Sequence, residues 1–135
     1  MAAFAPNLTP RGAIFTVPVA SAGVTATAGA ANVYGAYIQL DDGTLVTEDM
    51  RLVAVSLKTP SAAMIGKVEI VYDEAGTPVS VAELDFEIAT DAGGYLNIPV
   101  PTAPIIPAGE TVGARHKSVA GGTTIDIGAG LQPTA

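Results

Sequence analysis

His116 is the single histidine of the chain, and histidine is the side chain whose ordinary pKa lies near neutral pH. It falls in a predicted strand, residues 111–119, where alternation places it on the same face as Val112, Ala114 and Ser118. Acyl-transfer catalysis needs a nucleophile, a base and an orienting acid, and the sequence indicates no such partners for this imidazole. We therefore predict no catalytic residue, and we expect a half-buried His116 that belongs to an interface and responds to pH.

A row of carboxylates, Glu83, Asp85 and Glu87, occupies one face of the predicted strand 79–90. Alternate residues of a strand lie about 7 Å apart, and paired carboxylates at such distances can hydrolyse glycosides. A glycosidase also needs a cleft with aromatic platforms, and the chain has no Trp. The row is therefore predicted to be a solvated outer face that discourages unwanted strand pairing.

Side chains that ligate metals are scarce in this sequence. With no Cys and one His, zinc and copper sites are excluded. Calcium could use the acidic turns at residues 41–43, 48–49 and 73–74, but calcium loops interleave acidic residues at alternate positions with Gly. These turns do not follow that pattern, so we predict no metal ion and no cofactor.

Sugar-binding β-sandwiches hold their ligands on exposed aromatic rings, for which this chain offers Tyr34, Tyr37, Tyr72 and Tyr95. Tyr34 and Tyr37 are an odd number of residues apart, so a regular strand would point them to opposite faces. The pair is therefore not expected to form an aromatic platform.

The elements that must position these residues are β-strands, because apolar side chains recur with a period of two between closely spaced turns. Residues 21–31 fit either a thin strand or a loop. Hairpin turns are predicted at residues 41–44, 73–78 and 120–122. The chain is therefore predicted to be all-β, an antiparallel, jelly-roll-like β-sandwich of about eight or nine strands. The predicted strands cover residues 13–19, 33–40, 50–58, 64–72, 79–90, 95–100, 111–119 and 123–128.

The segment 50–58 alternates in a way that assigns its faces. It places Leu52 with Ala54 and Ser56 on one side of the sheet, and Val53 with Val55 and Leu57 on the other.

A chain of 135 residues fits one domain. Residues 1–11 are predicted to be an extended N-terminal arm and residues 12–135 a single β-sandwich domain, because Pro6 and Pro10 block regular strand pairing. Phe4 and Leu8 need apolar cover from another surface. We therefore expect Phe4, Pro6, Leu8 and Pro10 to contact a partner.

The charge balance excludes several partner classes. Thirteen acidic and six basic residues give a net charge of −7 at pH 7, which repels nucleic acid. Every apolar stretch is interrupted before it could span a bilayer, so no membrane partner is expected. Only 14% of the residues are charged, against ~25% in typical soluble domains. Such a surface is best buried against neighbours, so we expect a homo-oligomer.

Residues 106–128 resemble small β-sandwich virion proteins of tailed bacteriophages. In those proteins a Pro-Ala-Gly turn leads into a strand with Ala-Arg, then a Gly/Thr-rich hairpin and a closing Thr-Ile-Asp strand. The same order occurs here in residues 107–109, 114–115 and 124–126.

The resemblance implies a capsid decoration (cement) protein, made in the host cytoplasm and carried on the capsid exterior of the virion. Its partner would be the major capsid protein, and such proteins often form trimers at threefold positions. The arm of residues 1–11 would lie against a neighbouring subunit or the capsid. The alternative is a receptor- or carbohydrate-binding β-sandwich domain of a phage tail tip or fibre, and a small hydrolase ranks last.

Overall fold

The computed structural model describes residues 14–19, 22–89, 95–102 and 104–134, and these residues form ten strands and no helix. None of the described elements is therefore a helix that could cross a membrane. The arm of residues 1–11 and the start of the domain at residue 12 lie outside the described residues. The strands are β1 (Phe15–Val17), β2 (Val24–Thr27), β3 (Ile38–Asp41), β4 (Met50–Lys58), β5 (Met64–Tyr72), β6 (Val79–Ile88), β7 (Tyr95–Pro99), β8 (Ile105–Ile106), β9 (Val112–Ser118) and β10 (Thr124–Pro133).

The strands form two antiparallel sheets. One has six strands in the order β1-β10-β4-β7, with β2 beside β10 and β8 beside β4; the other has four, in the order β3-β9-β5-β6. The all-β, antiparallel sandwich with jelly-roll character is therefore confirmed. The described residues contain ten strands rather than eight or nine. The segment 21–31, which fitted either a strand or a loop, supplies β2, and the proline-rich stretch after residue 100 supplies the two-residue β8.

Two of the predicted hairpins are wrong. The turn at residues 41–44 connects β3 to β4, and the turn at residues 120–122 connects β9 to β10. In each case the two strands lie in different sheets. Only the turn at residues 73–78 closes a hairpin, between β5 and β6. Turn residues indicate only that the chain reverses direction. The same residues occur where the chain crosses from one sheet to the other and where it joins two paired strands.

A β-bulge in β4 changes the faces predicted for that strand. Gly130 of β10 pairs with Ala54 and Leu131 pairs with Leu52, so Val53 is the extra residue. The carbonyl of Val53 accepts a hydrogen bond from the backbone of Val100 at 2.9 Å. Leu52 is therefore turned into the core rather than lying on the face of Ala54.

The core fills the space between the sheets with side chains from both. β6 keeps its predicted alternation, since Phe86 and Ile88 are buried whereas Glu83, Asp85 and Glu87 are exposed. The largest fully buried side chains include Met50, Leu52, Leu57, Ile70, Ile106, Ile125, Ile127 and Leu131.

Candidate functional site

His116 lies in the core and is 0% exposed. Its Nε2 is 3.3 Å from Thr123 Oγ1, and Ser118 Oγ is 2.8 Å from the same hydroxyl. Nδ1 is buried without a hydrogen-bond partner, and burial lowers the pKa of the imidazole. Val112, Ala114 and Ser118 share its buried face as predicted, but the ring is wholly enclosed rather than half-buried. It therefore does not reach the surface of this chain.

The other predicted interface residues, Phe4, Pro6, Leu8 and Pro10, lie outside the described residues. Their role as contacts stays a prediction.

The carboxylate row of β6 faces solvent and is engaged by cations and a phenol. Lys67 Nζ lies 3.7 Å from Glu83 Oε1 and 3.5 Å from Asp85 Oδ1. The hydroxyl of Tyr34 donates to Glu83 Oε2 at 2.6 Å, and this hydrogen bond lowers the pKa of Glu83. Burial raises the pKa of Tyr34, and the same hydrogen bond raises it further. These contacts are those of an outer sheet face held by local pairs.

Arg115 lies between two tyrosine rings on this face. Its guanidinium carbon is 4.3 Å from the ring centre of Tyr34 and 4.4 Å from that of Tyr37. Its Nε donates to Glu69 Oε1 at 2.7 Å, and the hydroxyl of Tyr37 donates to the same oxygen at 3.2 Å. The prediction that the two tyrosines face opposite sides is wrong, because they precede β3 and lie outside the regular alternation of a strand.

The acidic turns use their carboxylates to hold the backbone. Asp41 Oδ2 accepts from the backbone N–H groups of Gly43 at 3.0 Å and Leu45 at 3.2 Å. Asp49 accepts from Ala108 and Asp73 from Thr77 in the same way. Within the part of the chain that the structure describes, no group of His, Asp and Glu side chains is arranged to hold a metal ion.

A groove of about 290 Å³ crosses the outer face of the six-stranded sheet. We call it the sheet groove. Its floor consists of the small residues Ala54 and Ser56 of β4 and Gly128 and Gly130 of β10. One wall is formed by Ile14, Thr16 and Pro18, and the other by Tyr95 and Asn97 of β7.

Tyr95 is the prominent side chain of the sheet groove, with 60% of its surface exposed. The ammonium of Lys58, which also lines the groove, is 5.3 Å from the centre of its ring. Sequence reasoning missed this site. The signal available in the sequence was that small residues alternate in two strands, Ala54 with Ser56 and Gly128 with Gly130. Small side chains on one sheet face leave a depression between the larger side chains of the flanking strands.

A second concave surface lies at one end of the four-stranded sheet, with a volume of about 410 Å³. Ile65 and Val119 are its large exposed side chains, at 55% and 54%, and the backbone of Val119 donates to the carbonyl of Ile65 at 2.9 Å. We call this surface the apolar end patch. Its lining residues are Ala63, Met64, Ile65, Glu87, Ile88, Ala89, Val119 and Ala120.

Comparison with known proteins identifies no family. No family model matches the chain, and no curated protein matches it.

Solved structures similar to this chain include capsid and sugar-binding β-sandwich proteins. The particle structure of the T13 infectious bursal disease virus matches with 9% identity over 91% of this chain and 31% of that chain, at a TM-score of 0.43. The family 32 carbohydrate-binding module of Clostridium perfringens NanJ, solved with galactose, has 15% identity over 87% and 99% of the two chains, at 0.42.

The C-terminal family 6 module of LamC from Zobellia galactanivorans has 12% identity over 89% of this chain and 99% of that chain, at 0.42. The present chain spans about a third of the length of the bursal disease virus chains.

Proposed function

We propose that this chain is a virion structural protein, a decoration protein that binds the major capsid protein of a tailed bacteriophage from outside and stabilises the lattice. The observation that carries the proposal is the apolar end patch, where Ile65 and Val119 remain exposed on a chain with only 14% charged residues. Exposed apolar side chains gathered at one concave surface favour a contact with another protein. A subunit of an assembly covers such surface with its neighbours.

The apolar end patch and the N-terminal arm are assigned to different contacts. The patch joins copies of the chain in a homotrimer, and the arm, through Phe4, Pro6, Leu8 and Pro10, contacts the capsid. Weak contacts that symmetry repeats over the lattice give strong overall attachment without tight binding at any one site.

The test is reconstitution on capsids of the encoding phage from which the protein has been removed. The purified chain is expected to sediment with these capsids and to raise the temperature at which they rupture. A variant without residues 1–11 should lose attachment while it remains a folded oligomer. Absence of co-sedimentation by the full chain would refute the proposal, and unchanged attachment of the shortened chain would refute the role of the arm.

The second candidate is a receptor- or carbohydrate-binding domain of a tail tip or fibre. The sheet groove favours it, because the exposed Tyr95 lies beside Asn97, whose side-chain amide can donate and accept hydrogen bonds. Immunogold labelling of virions separates the candidates, since a decoration protein covers the head whereas a receptor-binding domain labels the tail end.

We propose no enzymatic activity. The enclosed position of His116 supports this proposal, because an imidazole that is 0% exposed cannot meet a substrate at the surface.

A further inference from the structure

We propose that the sheet groove is a saccharide-binding site in which a pyranose ring stacks on Tyr95 and is hydrogen-bonded by Asn97 and Ser56. This inference names the ligand class of the groove that also favours the second candidate function, and it does not rest on the decoration proposal. It concerns the outer face of the six-stranded sheet, whereas the decoration proposal rests on the apolar end patch.

Strand register gives the groove its width. Thr16 pairs with Gly130, Gly130 with Ala54, and Ala54 with Pro99. Neighbouring strands lie ~4.8 Å apart, so the walls on β1 and β7 are separated by about 14 Å at the backbone. The volume of about 290 Å³ lies near the lower end of small-molecule sites, ~300–1,000 Å³, which is suited to a short saccharide.

The glycines of β10 keep the floor low. A Cβ at Gly128 would lie 2.7 Å from Ser56 Oγ, and one at Gly130 would lie 3.2 Å from the side chain of Ile14. Any larger residue at Gly128 would therefore cover the Ser56 hydroxyl. Glycine leaves that hydroxyl accessible from the groove.

The polar groups are arranged as neighbours on one face. Ser56 pairs with Asn97 across β4 and β7, and Lys58 pairs with Tyr95 in the next row. Side chains opposite each other in antiparallel strands are ~5 Å apart at Cβ. A hydroxyl and an amide at this separation can both donate and accept hydrogen bonds, which matches the adjacent hydroxyls of a sugar. The tyrosine ring offers a flat surface on which the C–H face of the pyranose ring stacks.

The backbone of the floor favours a saccharide over an extended peptide. The strands β1, β10, β4 and β7 pair side by side, so their N–H and C=O groups are occupied by the ladders. A peptide laid across this face would find few partners for its own backbone. Sugar hydroxyls need only the side chains that are present.

Charge sets the range of sugars that fit. Among the described residues that line the groove none is acidic, and Lys58 is basic. Asp126 pairs with Lys58 on the same sheet face but does not line the groove. The screen therefore includes both neutral pyranoses and those that carry a carboxylate.

The experiment screens the full chain against an array of neutral oligosaccharides (galactose-, glucose- and N-acetylglucosamine-terminated) and acidic ones (uronic- and sialic-acid-terminated). The strongest binder is then titrated by calorimetry. Tyr95→Ala should weaken binding by about tenfold or more, Asn97→Ala should weaken it severalfold, and Ala54→Leu, which raises the floor, should abolish it. Val33→Ala, an exposed side chain outside the groove, is the matched control and should bind normally.

Binding by either the neutral or the acidic set, with this order of losses and with amide chemical-shift changes at β4, β7 and β10, supports the site. The proposal is overturned if the folded chain binds no member of the array, or if binding occurs and Tyr95→Ala and Ala54→Leu leave it unchanged. Neither outcome bears on capsid attachment, which is measured separately.

Discussion

Glu69 of β5 pairs with Glu83 on the outer side of the four-stranded sheet, and the fold nevertheless covers its carboxylate, leaving the residue 7% exposed. Arg115 and Tyr37 both donate to its Oε1, and Arg115 is in turn enclosed by two tyrosine rings. The residues that surround Glu69 therefore replace the water that an outer-face carboxylate would otherwise bind.

Replacement of Glu69 by Ala is expected to destabilise the fold by about 1–3 kcal/mol, because it leaves a partly buried guanidinium without its acceptor. The matched control is Asp85→Ala, which removes a carboxylate whose side chain is 84% exposed and paired with Lys67; its cost should be under ~1 kcal/mol. Urea denaturation of the three proteins measures both effects. Equal losses of unfolding free energy in the two variants would show that the contacts of Glu69 with Arg115 and Tyr37 stabilise the fold no more than the exposed Lys67–Asp85 pair does.

His116 predicts how stability depends on pH. Burial lowers its pKa in the folded state below the ordinary value of 6.5, so the unfolded chain binds the proton at a higher pH than the folded chain does. Stability is therefore complete well above pH 6.5 and falls as the pH drops through this value, with a slope of at most ~1.4 kcal/mol per pH unit for one proton. The decline ends where the folded state also becomes protonated.

The measurement is the free energy of unfolding at intervals between pH 8 and pH 5, for the wild type and for His116→Leu. Since the chain has one histidine, the variant should have a flatter profile between pH 7 and pH 6. Parallel profiles would mean that the imidazole titrates alike in the folded and unfolded chains.

At the scale of the elements, local alternation was sufficient where a strand is regular and insufficient where it is not. β6 could be predicted residue by residue from Glu83 to Ile88, where exposed and covered side chains alternate. Earlier in the strand the alternation fails, because a register irregularity against β5 leaves Val81 without a partner. In β4 the bulge at Val53 turns Leu52 into the core, and a bulge depends on the partner strand, which the sequence of β4 does not contain.

The candidate sites needed long-range information. Tyr34 and Tyr37 meet over Arg115, far along the chain, and the sheet groove joins β1, β4, β7 and β10. The sequence could identify Tyr95 as an aromatic candidate. It could not show that strand register brings Ser56, Gly128 and Gly130 beside the β7 residues of the groove.

Gly66 tests the closeness of β5 and β9. A Cβ at this position would lie 1.9 Å from the carbonyl oxygen of Lys117, so Gly66→Ala must separate two central strands and should cost about 2–3 kcal/mol. Gly130→Ala is the control, because its Cβ would meet only side-chain atoms, those of Ile14 at 3.2 Å, Ala54 at 3.6 Å and Val53 at 3.7 Å. Thermal unfolding that affects both variants equally would contradict the close approach.

At the scale of the whole molecule, the surface combines a small share of charge with several exposed apolar side chains, among them Tyr95 in the sheet groove and Ile65 in the apolar end patch. The proposed trimer assigns the end patch to contacts between copies. Ile65→Glu should therefore shift the light-scattering mass from three copies toward the 13.5 kDa of a single chain, because a buried, unpaired carboxylate is costly. Val79→Glu, at an exposed residue outside the patch, should leave the mass unchanged.

A trimer that persists in Ile65→Glu would remove the end patch from the subunit contact. A wild-type chain that is monomeric at all concentrations would remove the trimer itself.

Electron cryomicroscopy of virions with and without this protein tests the decoration proposal. We expect β-sandwich density on the outer surface of the head, at threefold positions, that is absent from particles lacking the protein, together with a lower tolerance of those particles to heat. Density confined to the tail, or heads that are identical in both preparations, would contradict it.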